Sequence, residues 1–280
     1  MTGPVNTSCA SLPTRSVEKP WGKDVLPAPF SAPPGQRIGE VWFEPPPALA
    51  SLLVKYIFTS EALSVQVHPD DAQAAAAGET DSEGKGQGKE ECWLVIAADP
   101  GATLGVGFSR AASADAMRAA ALDGSIEQLL VWHPVQPGDF FYIPAGTVHA
   151  IGAGVSLIEI QQNSDITYRL YDYGRPRELH LDAGMAVARG EVHDPALRRH
   201  IPDTGTVELA RGRYFTAHRL DGMPDAALLA QYDRPLLVIP RRGTVRIDGG
   251  TTEVGQCGLA PSIAAVTFDP AGQSVIVHPA

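Results

Sequence analysis

The sequence predicts a mainly β protein: an antiparallel sandwich or barrel with a short helical insertion and a second, smaller β domain. Three observations carry this. Six apolar or alternating runs of strand length recur before residue 163, 24 prolines and 28 glycines supply turns between them, and helical patterning is confined to one short region.

Taken in order, residues 1–19 are polar and turn-rich and read as a loosely held arm before KPWGKDVL. The runs are RIGEVWFE (38–45), LLVKYIFT (52–59), LSVQVHP (63–69), CWLVIAA (92–98), DFFYIPA (139–145) and VSLIEIQQ (155–162). Between the fourth and fifth, SADAMRAAALDG opens on Ser113 as an N-cap and closes on Gly124, and SIEQLLVWH starts from Ser125, so the two read as a helical hairpin. The segment GETDSEGKGQGKE (78–90) has low hydrophobicity and four glycines and reads as a mobile surface loop. Strand patterning resumes in RYFTAHRL (213–220), PLLVIPRRGTVRIDGG (235–250), SIAAVTFDP (262–270) and SVIVHP (274–279). A boundary near residue 205 follows, giving an arm (1–19), a principal unit (20–205) and a smaller β unit (206–280).

Composition narrows the function classes. With 44% apolar and 19% charged residues, 280 residues bury a core without disulfides or other staples. A net charge of -10 argues against sequence-independent nucleic-acid binding, which needs a concentrated positive footprint. An anionic ligand must therefore be held by a few local cations. Cys9, Cys92 and Cys257 are odd in number and widely spaced, which points to a reducing compartment. The opening MTGPVNTSCASLPTRSVEK has no apolar run of signal-peptide type and no stretch approaches the ~20 apolar residues of a membrane span, so the expectation is a cytoplasmic protein that does not engage membranes.

The chemistry concentrates in three segments. In PGDFFYIPAGTVHAIG the spacing Gly-x5-Pro-x-Gly-x2-His, from Gly138 to His149, resembles the second motif of the cupin superfamily, whose fold is a double-stranded β-helix (jelly-roll) barrel. That resemblance implies a His149 side chain pointing into the barrel and binding a metal. In SVQVHPDD, Val65 and Val67 share one strand face and Gln66 and His68 the other. In GKEECWLVI, Lys89, Glu91 and Trp93 fall on one face and Glu90 and Cys92 on the opposite one. Gln66, His68, Glu91 and His149 together offer two imidazole nitrogens, a carboxylate oxygen and an amide oxygen. That set suits a borderline divalent ion, Zn2+ first, one per chain, with a coordination position left for water or substrate.

SVQVHPDD, GKEECWLVI, PGDFFYIPAGTVHAIG and IEIQQNSDITYRLYDYGR, in that order, resemble the class I mannose-6-phosphate isomerases in their short bacterial form. EKPWG (18–22) and IGEVWF (38–43) extend the likeness over about residues 20–182, and RYFT (213–216) extends it weakly. The resemblance implies zinc on Gln66, His68, Glu91 and His149, and catalytic roles for Arg169 and Asp165 in SDITYRLYDYG and for Lys89. It also implies interconversion of mannose 6-phosphate and fructose 6-phosphate through an enediol. The proton carrier is left open among Asp165, a metal-bound hydroxide and Lys89. Lys85, Lys89, Arg175 and Arg177 are local candidates for the phosphate, and loop 78–90 for a lid whose ordering brings Lys89 to the substrate. The longer relatives' helical domain does not fit this length. A monomer or weak homodimer acting on a small sugar phosphate is expected. The competing readings are a non-catalytic sugar-phosphate sensor, an Fe2+-dependent cupin oxygenase, against which Gln66 counts, and an isomerase for a different aldose. His133, by Trp132 at the expected end of a short helix, and His180, His193, His200, His218 and His278 have no assigned chemistry. Trp21 and Trp42 read as core anchors, with a pocket-wall role open for Trp21.

Overall fold

A computed structural model describes residues 11–80, 84 and 86–280. Cys9, Lys85, the first ten residues of the expected arm and residues 81–83 of the glycine-rich loop lie outside the described residues. The first half contains strands β1 (Thr14–Lys23), β2 (Ile38–Phe43), β3 (Leu52–Phe58), β4 (Val65–Val67), β5 (Glu91–Ala98) and β6 (Thr103–Phe108). It continues with β7 (Leu130–Pro134), β8 (Asp139–Ile143), β9 (His149–Ile151), β10 (Val155–Gln162), β11 (Tyr168–Tyr171) and β12 (Arg198–His200). They form a seven-stranded sheet ordered β1-β2-β3-β10-β5-β8-β12 and a five-stranded sheet ordered β11-β4-β9-β6-β7.

The two sheets close over a shared core that includes Trp21, Trp93, Leu104, Val106, Phe141 and Leu157, which makes the cupin-like barrel. All six apolar runs are strands. The strands β6, β7, β9 and β11 lie outside those runs: β9 is embedded in the Gly-Thr-x-His turn, β6 carries two glycines, and β7 continues directly from a helical pattern.

Two segments differ from expectation. Residues 14–19 belong to β1, paired in register with β2 (Arg15↔Trp42, Val17↔Glu40), and are not loose. Their polar composition reflects an edge strand whose charged side chains face a cavity; the Arg15 guanidinium lies 4.4 Å over the Trp42 ring. SIEQLLVWH is helical only over Ile126–Leu129 (α3), after which Leu130 turns extended and Trp132 and His133 join the β6 ladder. His133 therefore lies in a strand, its ring 5.6 Å from Phe141. The helix before it, α2 (Ala114–Asp123), starts on Ser113, whose hydroxyl accepts from the Ala116 amide at 3.2 Å, and ends at Gly124 with φ 83°.

The helix α1 (Asp71–Ala77) is held by a capping box in which Asp70 and Gln73 exchange side-chain bonds of 2.8 and 2.9 Å. β4 ends at Val67, so His68 lies between the strand and the helix cap. Val65 and Val67 pack outward with Ala74 of α1, Met117 and Ala121 of α2, and Val187 of a short helix at Leu181–Val187.

Strands Val207–Arg211, Phe215–Asp221, Gln273–Pro279, Leu236–Arg242 and Gly258–Ala260 form a further five-stranded sheet, accompanied by a three-stranded one. The five-stranded sheet packs on the outer face of the seven-stranded sheet: Phe43, Tyr56, Cys92 and Leu94 meet Phe215, Leu237 and Val277.

Candidate metal centre

Strand pairing assembles the centre. On one side of β4, Gln66 is the cross-strand partner of His149 in β9, and on the other of Arg169 in β11. Partners directly opposite share a face, so Arg169, Gln66 and His149 form one row on the inner surface of the five-stranded sheet. From the facing sheet, β5 projects Glu91 and Trp93 inward, preceded by Lys89, while Cys92 points out. The structure thus brings together Gln66, His68, Lys89, Glu91 and His149.

His68 Nδ1 lies 2.9 Å from the Ile166 carbonyl and His149 Nδ1 2.9 Å from the Thr147 carbonyl. A carbonyl only accepts, so each Nδ1 carries the proton and each Nε2 keeps its lone pair. Those Nε2 atoms lie 3.6 and 3.5 Å from the two Glu91 oxygens, and one ligand atom from each of the three residues falls within 4.8 Å of the others. Burial pushes the His68 imidazole well below its ordinary range, with the Lys89 ammonium adding to the effect. The same two causes bring His149 to about 4. Both rings are neutral at pH 7. Burial, reinforced by the Glu159 carboxylate, raises Glu91 to about 7 against the pull of Lys89.

The donor set fits a divalent cation. Glu91 is fully buried, yet its Oε1 has no hydrogen-bond partner among the described residues, and it faces the His149 Nε2 lone pair. An acceptor left bare inside a protein is costly unless a cation satisfies it. Gln66 Nε2 sits 3.2 Å from His149 Nε2, while its Oε1 accepts from the Ser64 hydroxyl at 3.2 Å. A hydroxyl can equally accept, so a half-turn of the amide presents Oε1 to the centre and keeps the Ser64 bond.

Around the triad runs a chain of alternating charge. Lys89 contacts Glu91 and lies 3.0 Å from His68 Nε2; its Nζ is 3.5 Å from Glu159. Glu159 is 2.9 Å from Lys55, which is 3.5 Å from Glu40, which is 3.2 Å from Lys19. Trp93 Nε1 donates to Glu159 at 2.9 Å, and its ring stands edge-on to His149 at 5.3 Å. Burial raises the Glu40 carboxyl, but Lys55 and Lys19 outweigh it and hold Glu40 at about 2. Burial likewise opposes the charge on Lys55, and Glu159 and Glu40 outweigh it, so the ammonium titrates above its ordinary range.

Gln66 and Lys89 also line a cavity of ≈ 420 Å³ whose walls carry six cationic side chains (Arg15, Lys19, Lys55, Lys89, Arg169, Arg177) and three acidic ones (Glu40, Glu159, Asp165). A chain of net charge -10 therefore presents a locally positive pocket. Arg169 is steadied by its Nη1 bond to the Glu178 carbonyl at 2.6 Å, and its buried Nε has no partner among the described residues. Arg177 is held bidentately by Asp172, both bonds 2.6 Å. Arg175 is not among the cavity's lining residues; it bonds Asp172 and the Ala62 carbonyl. Lys89 is 4% exposed, its amide bonded to the Pro69 carbonyl at 2.9 Å, and the Gly88 amide bonds Asp71 at 2.9 Å. Lys89 is thus already at the centre and needs no ordering of the loop to reach it. None of the sequence motifs singles out Lys55, Glu159, Lys19 or Glu40, although a lone charge inside an apolar run, as Lys55 in LLVKYIFT and Glu159 in VSLIEIQQ, is the pattern that marks a paired buried ion.

No family model matches the chain. Among curated proteins, it is 45% identical to the mannose-6-phosphate isomerase of Streptococcus mutans over 142 residues, 49% of this chain and 43% of that protein. It is 38% identical to the mannose-6-phosphate isomerase ManA of Bacillus subtilis over 201 residues, 67% of this chain and 60% of that protein. The matched stretch thus spans less than two thirds of either relative's length. The fold match is more extensive: a crystal structure of the Bacillus subtilis mannose 6-phosphate isomerase superposes with a TM-score of 0.77 at 26% identity, covering 96% of this chain and 98% of that one. A zinc-bound mannose 6-phosphate isomerase shares the fold at a TM-score of 0.71 and 14% identity, over 96% of this chain and 98% of that one.

Proposed function

The chain is related by sequence and fold to the mannose-6-phosphate isomerases, and from that premise we propose that it is a zinc-dependent aldose–ketose isomerase interconverting mannose 6-phosphate and fructose 6-phosphate. One observation supports this above the others: a buried His68–Glu91–His149 triad with a bare carboxylate oxygen adjoins, through Gln66 and Lys89, a cavity rich in cations.

In this reading Gln66, His68, Glu91 and His149 hold the zinc ion. When bound, zinc supplies Lewis-acid stabilisation of oxygen charge at the reacting carbons. The rest falls to the chain's own side chains. The substrate phosphate is drawn by the cavity's cationic excess, with Arg15, Lys19 and Arg177 as its candidate partners. A proton leaves C2 of the open-chain aldose, an enediol forms, and a proton returns to C1. Arg169 donates hydrogen bonds to the oxygen on which charge develops; its free Nε and the carbonyl-anchored Nη1 suit that role. Lys89 and Asp165 both line the cavity and are the candidate proton carriers. Residues 14–205, with β1 included because Arg15 and Lys19 line the cavity, form the catalytic unit and 206–280 the smaller β unit. The protein acts in the cytoplasm, as a monomer or weak homodimer.

The test is a coupled assay of mannose 6-phosphate to fructose 6-phosphate on purified protein, before and after chelation and with Zn2+ restored. Turnover is expected to fall with metal content and to return with it. Activity persisting after verified metal removal would overturn the mechanism; zinc binding without turnover on any aldose phosphate would leave a binding protein.

A further inference from the structure

We propose that the cleft between the barrel and the second β unit is a binding site for a small phosphate dianion, inorganic or monoester, separate from the sugar-phosphate cavity. The cleft is a cavity of ≈ 240 Å³ bounded by Gly138 and Ile201 on the barrel side and by Arg219, Arg241 and Arg242 on the other, with Asp203 the one acidic side chain on its wall. Three guanidiniums in one small cavity are unusual for a protein of net charge -10, and none serves the isomerase reading.

Each arginine is delivered by a specific local feature. Arg219 is 4% exposed; its Nη atoms donate to the Pro202 and Gly205 carbonyls, and its buried Nε has no partner among the described residues. Its charge is therefore met by dipoles, with the carboxylates of Asp203 and Asp221 acting from nearby. Asp221 is already engaged, 3.1 Å from Arg242 and bonded to the Gly205 amide at 2.7 Å. Arg241 is the extra residue of a β-bulge: Pro240 pairs with Ser274 and Arg242 with Gln273, leaving Arg241 outside the ladder. Bulges re-aim a side chain, and here Arg241 is turned to the wall of the cleft. Arg242 also donates from Nε to the Ala271 carbonyl at 3.0 Å, which fixes its direction. A tetrahedral dianion with several acceptor oxygens is the ligand that answers guanidinium donors arriving from different strands.

The site is tested by calorimetric titration of the full-length, zinc-loaded protein with inorganic phosphate at constant ionic strength. Two classes of phosphate site are expected. In Arg241→Ala one class should weaken at least tenfold, with kcat and KM for isomerisation unchanged; Arg242→Ala, an exposed position, provides the same test where Arg241→Ala is poorly folded. A parallel titration with glycerol phosphate separates the sources: tighter binding than phosphate identifies a monoester ligand, no binding at this site identifies free phosphate. Isotherms of both variants that superimpose on the wild type, or a wild type with only the class that Arg169→Ala removes, would overturn the proposal. The outcome is readable whether or not the protein turns over mannose 6-phosphate.

Discussion

Replacing Lys55 by Met tests the alternating charge chain directly. The ammonium lies 2.9 Å from Glu159 and 3.5 Å from Glu40, and its side chain is about as buried as theirs. At an effective dielectric of about 20 these separations correspond to gross attractions of roughly 6 and roughly 5 kcal/mol. Methionine avoids the desolvation of the ammonium, and Lys89 and Lys19 remain beside the two carboxylates, so the net loss should be about 3–5 kcal/mol, the usual range for removing one partner of a buried pair. An exposed pair such as Arg118–Asp182 should lose less than about 1 kcal/mol when Arg118 is replaced by Met.

The loss must also depend on pH. Glu40 sits at about 2 in the fold against an ordinary 4.5, so it contributes about 3 kcal/mol that is present above pH 4.5 and disappears as pH falls towards 2. Lys55 is the largest charge holding it there. The stability gap between wild type and Lys55→Met should therefore narrow from pH 7 to pH 3, as followed by urea unfolding with tryptophan fluorescence. A gap under about 1 kcal/mol at pH 7, or one that stays constant into acid, would refute the reasoning.

His149→Ala should lose metal and turnover together while its far-UV circular dichroism stays native; full zinc content by elemental analysis would remove His149 from the centre. Arg169→Ala should retain zinc and lose about 100-fold or more in kcat, as for an oxyanion stabiliser; near-normal rates would exclude it. Gly88→Ala would place a Cβ 2.5 Å from the Asp70 carbonyl carbon, so the backbone that pins Lys89 must shift; kcat should fall at least tenfold with a much smaller change in melting temperature, and an unchanged kcat would show that Lys89 tolerates displacement.

The inner faces of β4 and β5 were legible in the sequence because a period of two, once anchored by the Gly138-to-His149 spacing, dictates which side chains look inward. Arg169 came only from resemblance, although its register opposite Gln66 gives a physical reason for its position. A local pattern marks Lys55 and Glu159 as buried charges but does not say what pairs with each. Each is a single charge in an apolar strand, and what makes them neighbours is the pairing of β3 with β10, a contact between segments far apart in the chain. The same holds for Lys19 and Glu40, where polar residues of β1 looked like a free arm until paired with β2. Strand identity is written locally, whereas sheet order is not.

That sheet order also explains why the centre is stiff. Glu91 and Trp93 lie on β5, hydrogen-bonded on both sides by β10 and β8, and the outward residues Cys92 and Leu94 are buried against the second β unit. A strand fixed at its edges and clamped on its back has little freedom to tilt, so Glu91 can be held facing two imidazoles before any cation arrives. His149, on β9 of the opposite sheet, and His68, just past the end of β4, are fixed by backbone carbonyls instead. The centre is thus pre-organised from two directions by different means, and the second β unit contributes by packing against β5, which makes substitutions at Leu237 or Phe215 a route to altered metal affinity without touching a ligand.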